Sequence, residues 1–592
     1  MEKRLSFKFS VQVSFFLFFI SFYSGYSQKF EKPNVIIVLS DDQGFGDFSG
    51  HGNPILETPT LDKLASESVE FTDFHVAPLC TPTRGELMTG LDAYHNGAST
   101  VGYASGIVRR DVIMMPEFFK RNGYTTGIFG KWHLGDSYPD RPMDKGFDKS
   151  IWIKGWGLLS EMEYDNDYYE TRYLDSLSTK YSGKYCSNLW FDKAMEWMDV
   201  NIESDKPFFT YIALNAPHGP FDSPKQDYDF YKDKVNNEKT ASFFGMIRNI
   251  DRNMSRLEAW LETKGLKENT ILLYITDNGT AQGEEVFNAD MRGKKGSDYE
   301  GGHRVGCFIR WPNGNLIGPL KIKTPTQVQD VLPTLLELTN LKQDQQNFDG
   351  ESLCPLIYSK SKFEDRMFVV QYGNRPAKKY DGCVVFGNWR LVGENELYDI
   401  QTDPSQSINI ANEHPQIVDK MKKFYESWWL GLQSKDKGIV PIIVGSDEEN
   451  PVILNSSHWL DNPVNTQWGI ATGDGLNNGG ENFINVEKAG KYKIELSRWP
   501  FHLNRNINDK GPQFSIGGNN IRTGSSHEIV FGCLRIENKE TIIKKSIENS
   551  SSISIETYLN KGEAKLRAWF VDKNKNNICG AYYIRITNVS KE

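Results

Sequence analysis

Between about residues 33 and 345, short apolar runs alternate with amphipathic segments, the pattern of an α/β domain built on a mostly parallel sheet. Asn34-Val35-Ile36-Ile37-Val38-Leu39 is a continuous, β-branched-rich run, as expected of a strand covered on both faces. Thr125 to Phe129, Phe208 to Leu214 and Thr270 to Thr276 are further predicted strands. Thr58-Pro59 predicts a helix start, with Thr58 as N-cap, Pro59 at the first helical position, and Leu61, Leu64 and Ala65 on the apolar face. Residues 346 to 436 read as a smaller α+β piece, with strands around Phe368–Gln371 and Cys383–Leu391 and a helix from about His414 to Leu432. After residue 437, Gly, Asn and Ser become frequent and period-two alternation dominates, clearest in Tyr492 to Leu496 and Tyr582 to Thr587. That tail predicts an all-β sandwich.

A chain of 592 residues is too long for one core. The expected division is a signal peptide over 1–27, an α/β domain over 28–345, the α+β subdomain over 346–436 and the sandwich over 437–592. The signal reading rests on Lys3, Arg4 and Lys8 before the apolar stretch Val11 to Tyr23, followed by small Gly25 and Ser27 ahead of a cut before Gln28. The apolar run is short for a membrane span. We therefore expect an exported protein, periplasmic or secreted, without stable membrane insertion.

The formal charge of −9 carries no basic excess and argues against a nucleic-acid partner. An anionic substrate would need a local basic pocket. The cysteines are Cys80, Cys186, Cys307, Cys354, Cys383, Cys533 and Cys579, an odd number that leaves at least one unpaired. No CxxC pair points to zinc or an iron–sulfur centre. All but Cys80 read as small buried hydrophobes.

The four central runs all end in chemistry: Asp41-Asp42, Gly130-Lys131-Trp132-His133, Asn215-Ala216-Pro217-His218, and Asp277-Asn278-Gly279 after Thr276. Each alone is ordinary turn chemistry. Together, at the carboxyl edge of one parallel sheet, they predict a site. Asp41, Asp42, Asp277 and Asn278 offer oxygen ligands, which suit a hard divalent cation such as Ca²⁺ or Mg²⁺. Lys131, His133 and His218 offer cations, donors and proton carriers. Such a set suits transfer or hydrolysis at a phosphoryl or sulfuryl centre. Cys80-Thr81-Pro82-Thr83-Arg84-Gly85 reads as a loop leading into a helix start, where a helix N-terminus favours negative charge.

These residues resemble the formylglycine-dependent (type I) sulfatases of the alkaline-phosphatase superfamily. Cys80-Thr81-Pro82-Thr83-Arg84 matches the family's C-x-P-x-R signature, and Gly123 to Gly135 looks like its second signature. Asn34 to Gly44, Thr276 to Gly279 and Lys295 to Gly302 match further blocks in order, over about residues 33 to 435. The resemblance implies an alkaline-phosphatase-like sulfatase fold and oxidation of Cys80 to formylglycine by a formylglycine-generating maturation enzyme. One hydroxyl of the hydrated aldehyde would attack sulfur as the alcohol leaves; deprotonating the other would expel sulfate. It further implies one Ca²⁺ bound by Asp41, Asp42, Asp277, Asn278 and the modified Cys80. Arg84 and Lys131 would hold the formylglycine, His133 would be the base for elimination, and His218 and Lys295 would contact sulfate and protonate the leaving oxygen.

Export and size fit a bacterial enzyme acting on sulfated polysaccharide or oligosaccharide. Trp152, Trp156, Tyr164, Tyr168 and Tyr169 either line a sugar cleft or pack as a surface hairpin. Arg109, Arg110 and His303 either contact a carboxylate or neighbouring sulfate or are exposed loop charges. The sandwich is either a carbohydrate-binding module using Trp459, Trp468, Trp499 or Trp569 as platforms, or a structural appendage with those rings in its core; the alternation around Trp569 favours the second. Two rival functions stay open: a phosphodiesterase or phosphonate monoester hydrolase of the same superfamily, and a non-catalytic glycan-binding protein.

Overall fold

The structure is a computed structural model that describes residues 32–590, apart from 161, 163–165, 205, 343–345, 359–362, 364–365, 474–476, 514, 517–518 and 521–522. The expected signal segment 1–27 and Tyr164 lie outside the described residues. Pro33–Glu592 forms one compact unit.

Five parallel strands make the centre of a mixed sheet, in the spatial order Thr270–Thr276, Asn34–Ser40, Phe208–Ala213, Thr125–Lys131 and Lys149–Ile153. Cys307–Arg310 adds antiparallel beside Thr270–Thr276. Alternation within Asn34–Ser40 explains its unbroken apolar run. Val35, Ile37 and Leu39 enter the core on one face, while Ile36 and Val38 enter the core on the other. Each such side chain is fully buried and contributes about 1.5–3 kcal/mol. One face is covered by the helices Cys80–Thr89, Met115–Arg121 and Val331–Leu338. The other is covered by Cys186–Ile202 and Glu238–Thr263, the latter burying Met246, Ile250, Met254, Leu257 and Leu261.

The helix after Thr58 forms over Pro59–Ser66 with Leu61 and Leu64 buried. Its N-terminus is satisfied differently from the expectation. The Thr58 hydroxyl donates to Asp62, and Asp251 from the long helix accepts from the free amides of Thr60 and Leu61. The segment Cys383–Leu391 is two strands, Gly382–Phe386 and Trp389–Val392, because the chain turns at Gly387 with φ +51°. They join Met367–Gln371 and Glu396–Asp399 in an antiparallel sheet, against which Pro415–Lys435 packs Met421, Tyr425 and Trp429.

The chain beyond Ile442 builds two antiparallel-rich sheets around one core, with Gly562–Val571 central to one and Gly490–Ser497 and Tyr583–Asn588 central to the other. Trp459 and Trp499 lie inside that core, Trp569 is half-buried, and Trp468 is 40% exposed. Two of the four rings are thus core residues and cannot act as platforms.

Candidate active site

Sheet register brings the predicted strand ends together. Ser40 lies opposite Thr276, so Asp41 and Asp42 emerge beside Asp277 and Asn278. Asp42 has φ +74°, a conformation an aspartate tolerates better than most residues, and its amide donates to Asp277 Oδ1 at 3.0 Å. Gly130 lies opposite Ala213 with φ +119°, and a Cβ there would fall 1.9 Å from the Ala213 carbonyl oxygen. Only glycine permits that approach. It leads directly to Lys131, whose Nζ donates to Asp41 Oδ2 at 2.7 Å.

The helix Cys80–Thr89 starts at Cys80 itself, with no loop between. All ten of its residues are buried. Arg84, one turn on, donates through Nη2 and Nε to Asp277 Oδ2 at 2.8 and 3.1 Å. Burial pushes the Cys80 thiol up, which makes it a poor thiolate nucleophile as it stands.

On the solvent side, Lys295 Nζ donates to Asp42 Oδ1 at 2.6 Å, and His218 Nε2 lies 3.7 Å from Asp42 Oδ2. His218 Nδ1 donates to the Gly219 carbonyl at 2.6 Å, which fixes the tautomer and leaves Nε2 facing the site. Burial, then the Lys295 charge, lowers the His218 pKa despite Asp42 and Asp41. His133, at φ +62°, sits with Nε2 2.7 Å from the Thr81 hydroxyl. Burial, followed by Lys131 and Arg84, holds it well below the ordinary histidine range, so the ring is neutral and able to accept a proton.

Two oxygens in this cluster have no hydrogen-bond partner although they are buried: Asp41 Oδ1 and Asn278 Oδ1. The Asn278 amide nitrogen is engaged by Asp42 Oδ1 and the Gly279 carbonyl, which turns its oxygen the other way. Ligand atoms of Asp41, Cys80 and Asp277 lie within 4.8 Å of one another. Buried, unpaired oxygen donors beside two carboxylates fit a hard cation, because leaving them unmatched is costly. Asp42 and Asp277 are already engaged, Asp42 Oδ1 by Lys295 and Asn278 and both Asp277 oxygens by the Asp42 amide and Arg84.

The other sequence candidates divide. Trp156 stands at the site, its ring 5.2 Å from that of His218. The Tyr168 hydroxyl is within 2.7 Å of the Asn215 and His218 carbonyls, so this ring braces the loop from below. Trp152 is a fully buried core residue, and Tyr169 bonds the Ser223 carbonyl. Arg109 pairs with Asp111 and the Lys435 carbonyl, and Arg110 with Asp140 and the Pro441 carbonyl, so both clip segments together and neither needs an anionic ligand to balance it. His303 is fully buried against His75, with Nδ1 to Nδ1 at 2.8 Å, and cannot reach a substrate. Thr81 is the residue the sequence reading missed. It occupies a variable position of its motif, and only the fold shows its hydroxyl on His133.

Comparison with known proteins follows the same line. The family model described as Sulfatase matches residues 33–341, more than half of the chain. Arylsulfatase J of Mus musculus is 30% identical over 345 residues, covering 55% of this chain and 56% of its own, so the chain spans little more than half of that relative. A protein named ulvan-active sulfatase, of Formosa agariphila, is 28% identical over 414 residues, covering 64% of this chain and 78% of its own. Among solved structures, Ps i-CgsB superposes with a TM-score of 0.60 at 25% identity, covering 67% of this chain and 92% of that one.

Proposed function

Because the chain belongs to the sulfatase family of sulfuric ester hydrolases, with its alkaline-phosphatase-like fold, we propose that it hydrolyses sulfate esters on a polysaccharide or oligosaccharide. The observation that carries this reading is the pair of unpartnered buried oxygens, Asp41 Oδ1 and Asn278 Oδ1, beside Cys80 at a helix start. In this reading Asp41, Asp42, Asp277, Asn278 and Cys80 hold one Ca²⁺, which would draw charge from the sulfate oxygens. Oxidised to formylglycine by a maturation enzyme, Cys80 would supply a geminal pair of hydroxyls, an arrangement in which attack and release are both intramolecular.

The chain's own side chains have matching tasks. Arg84 and Lys131 place two buried cations around the nucleophile's position, balanced by Asp277 and Asp41. Neutral His133 is set to take the proton whose loss releases sulfate. His218 and Lys295 bracket Asp42 on the open side, where a leaving oxygen needs a proton. Support for a glycan substrate comes from relatives: one is named for activity on ulvan, and Ps i-CgsB has been solved in complex with k-i-k-neocarrahexaose.

We also place the protein outside the cytoplasm, on the basic-then-apolar N-terminus. None of the described helices is long and apolar enough to cross a membrane. The segments 28–345, 346–436 and 437–592 are taken as its working domains. The deciding experiment co-expresses the chain with a formylglycine-generating enzyme and measures sulfate and phosphate release in parallel. Sulfate release that depends on Cys80, with an aldehyde at that residue by mass spectrometry, is expected. Preferential phosphate ester turnover would replace this reading with the phosphodiesterase one.

A further inference from the structure

A pocket of about 50 Å³ lies beside His133, room for one small group of a larger substrate. One side is the α/β domain, with Asp136 and Trp156. The other side is Ser457 and His458, which belong to the terminal sandwich. The family match ends at residue 341, so this wall lies outside it.

The sandwich does more than adjoin the site. Its segment 455–467 grips both loops that shape the pocket. The Trp156 indole donates to the Asn465 carbonyl at 2.6 Å, and Ser160 and Thr466 form a β-bridge. The Ala104 amide donates to the Ser457 carbonyl at 3.4 Å, and Ile107 is buried in the sandwich core. Trp156, held in this way, packs on the ring of His218.

The lining is mixed, with apolar Val101, Ile107 and Trp156 beside polar Asp136, Ser457 and His458. Asp136 presents a carboxylate steadied by the Gly155 amide at 3.0 Å. His458 Nδ1 accepts from the Asn455 amide at 3.3 Å, so the neutral ring carries its proton on Nε2 as a donor. Burial, with Lys154 nearby, pushes His458 down to about 4 and keeps it neutral. A carboxylate, a hydroxyl and a neutral imidazole match sugar hydroxyls.

We propose that the terminal sandwich forms a specificity wall of the active site, in which Ser457 and His458 bind hydroxyls of the sugar residue that carries the sulfate ester. Asn465 acts as a positioning residue that holds Trp156 against His218. This assignment rests on the sulfatase reading above and deepens it.

The test compares matured wild type, His458→Ala and Ser457→Leu on 4-methylumbelliferyl sulfate and on monosulfated and disulfated disaccharides from chondroitin, carrageenan and ulvan. The quantity read is the ratio of kcat/KM on the best sugar to kcat/KM on the aryl ester. We expect the ratio to fall about tenfold in His458→Ala, mostly through KM, as loss of a substrate hydrogen bond predicts. Ser457→Leu, at a half-buried position, narrows the pocket and lowers the same ratio even if His458→Ala fails to fold. An unchanged ratio in a folded variant, or aryl turnover without any sugar turnover, would each overturn the assignment. Absence of turnover on every ester would instead remove the sulfatase reading beneath it.

Discussion

Arg84 and Asp277 meet as a fully buried ion pair at 2.8 Å although 193 positions separate them. The helix that begins at Cys80 and the strand that ends at Thr276 are thereby locked to one another, and with them the nucleophile and two of the proposed metal ligands. Breaking such a pair on one side leaves an uncompensated buried charge, which costs about 3–5 kcal/mol. Arg84→Leu is therefore expected to lose stability on that scale in urea unfolding as well as activity. A variant that unfolds at the wild-type midpoint would show that the pair does not hold the site together.

Cation binding should be visible without any turnover. Calcium that binds only the native chain raises stability with concentration, by about 2.7 kcal/mol at a hundred times Kd. Melting of the wild-type protein in EDTA and in rising Ca²⁺ is expected to show an upward shift. Asp41→Asn, which removes the charge from an oxygen that otherwise lacks a partner, should diminish it. Identical melting in EDTA and calcium for wild type would count against the site.

How much of this was legible in the sequence depends on how local each feature is. Asn34 to Leu39 announced a doubly covered strand because both cores draw on it, and the register of parallel neighbours then carried Asp41, Lys131 and Asp277 to one edge. The turn at Gly387 was hidden inside an apolar run whose composition reads as one strand. Arg109 and Arg110 looked available because their partners, the Lys435 and Pro441 carbonyls, come from a distant part of the chain. Ser457 and His458 carried no signal at all. They are ordinary residue types in a β-rich tail, and only tertiary packing makes them part of a pocket.

Acid should destabilise the fold through a second buried cluster. Among Asp73, His75, Glu300, His303 and Arg390, every contact is matched: His303 Nε2 donates to the Asp298 carbonyl, so its Nδ1 accepts from His75, whose Nε2 donates to Asp73. These partners leave the cluster's ring nitrogens engaged, and it reads as a structural network. Burial, then His75, pushes His303 down to about 3 from 6.5, while burial would raise Glu300 but Arg390, His75 and Arg304 together hold it at about 2 from 4.5. Both folded-state values are depressed, so both groups bind protons more readily in the unfolded chain. Their stabilisation is complete above 6.5 and 4.5 respectively and is lost as pH falls toward 3 and 2. Stability measured by urea midpoint should decline steadily below about pH 6.5, with a slope of up to about 1.4 kcal/mol per pH unit from each titrating group. His303→Gln should flatten the part between about pH 6 and 4; a variant with the wild-type slope would place the acid sensitivity elsewhere.

His218 offers the sharpest kinetic prediction, because its role depends on the leaving group. Its Nδ1 proton is committed to the Gly219 carbonyl, so Nε2 is the atom that faces the reacting centre, near Asp42 and Lys295, and it acts as an acid from the doubly protonated ring. A sugar alkoxide is a poor leaving group and needs a proton as its bond to sulfur breaks, whereas an aryl oxide with a low pKa leaves with little help. General acid–base assistance is worth about 10²–10⁴-fold. His218→Ala should therefore lose turnover by that factor on a sulfated sugar and by much less on a nitrophenyl sulfate, with melting close to wild type because the side chain is 21% exposed. Loss by the same factor on both esters would mean that His218 binds the sulfate group itself and gives no proton to the departing oxygen.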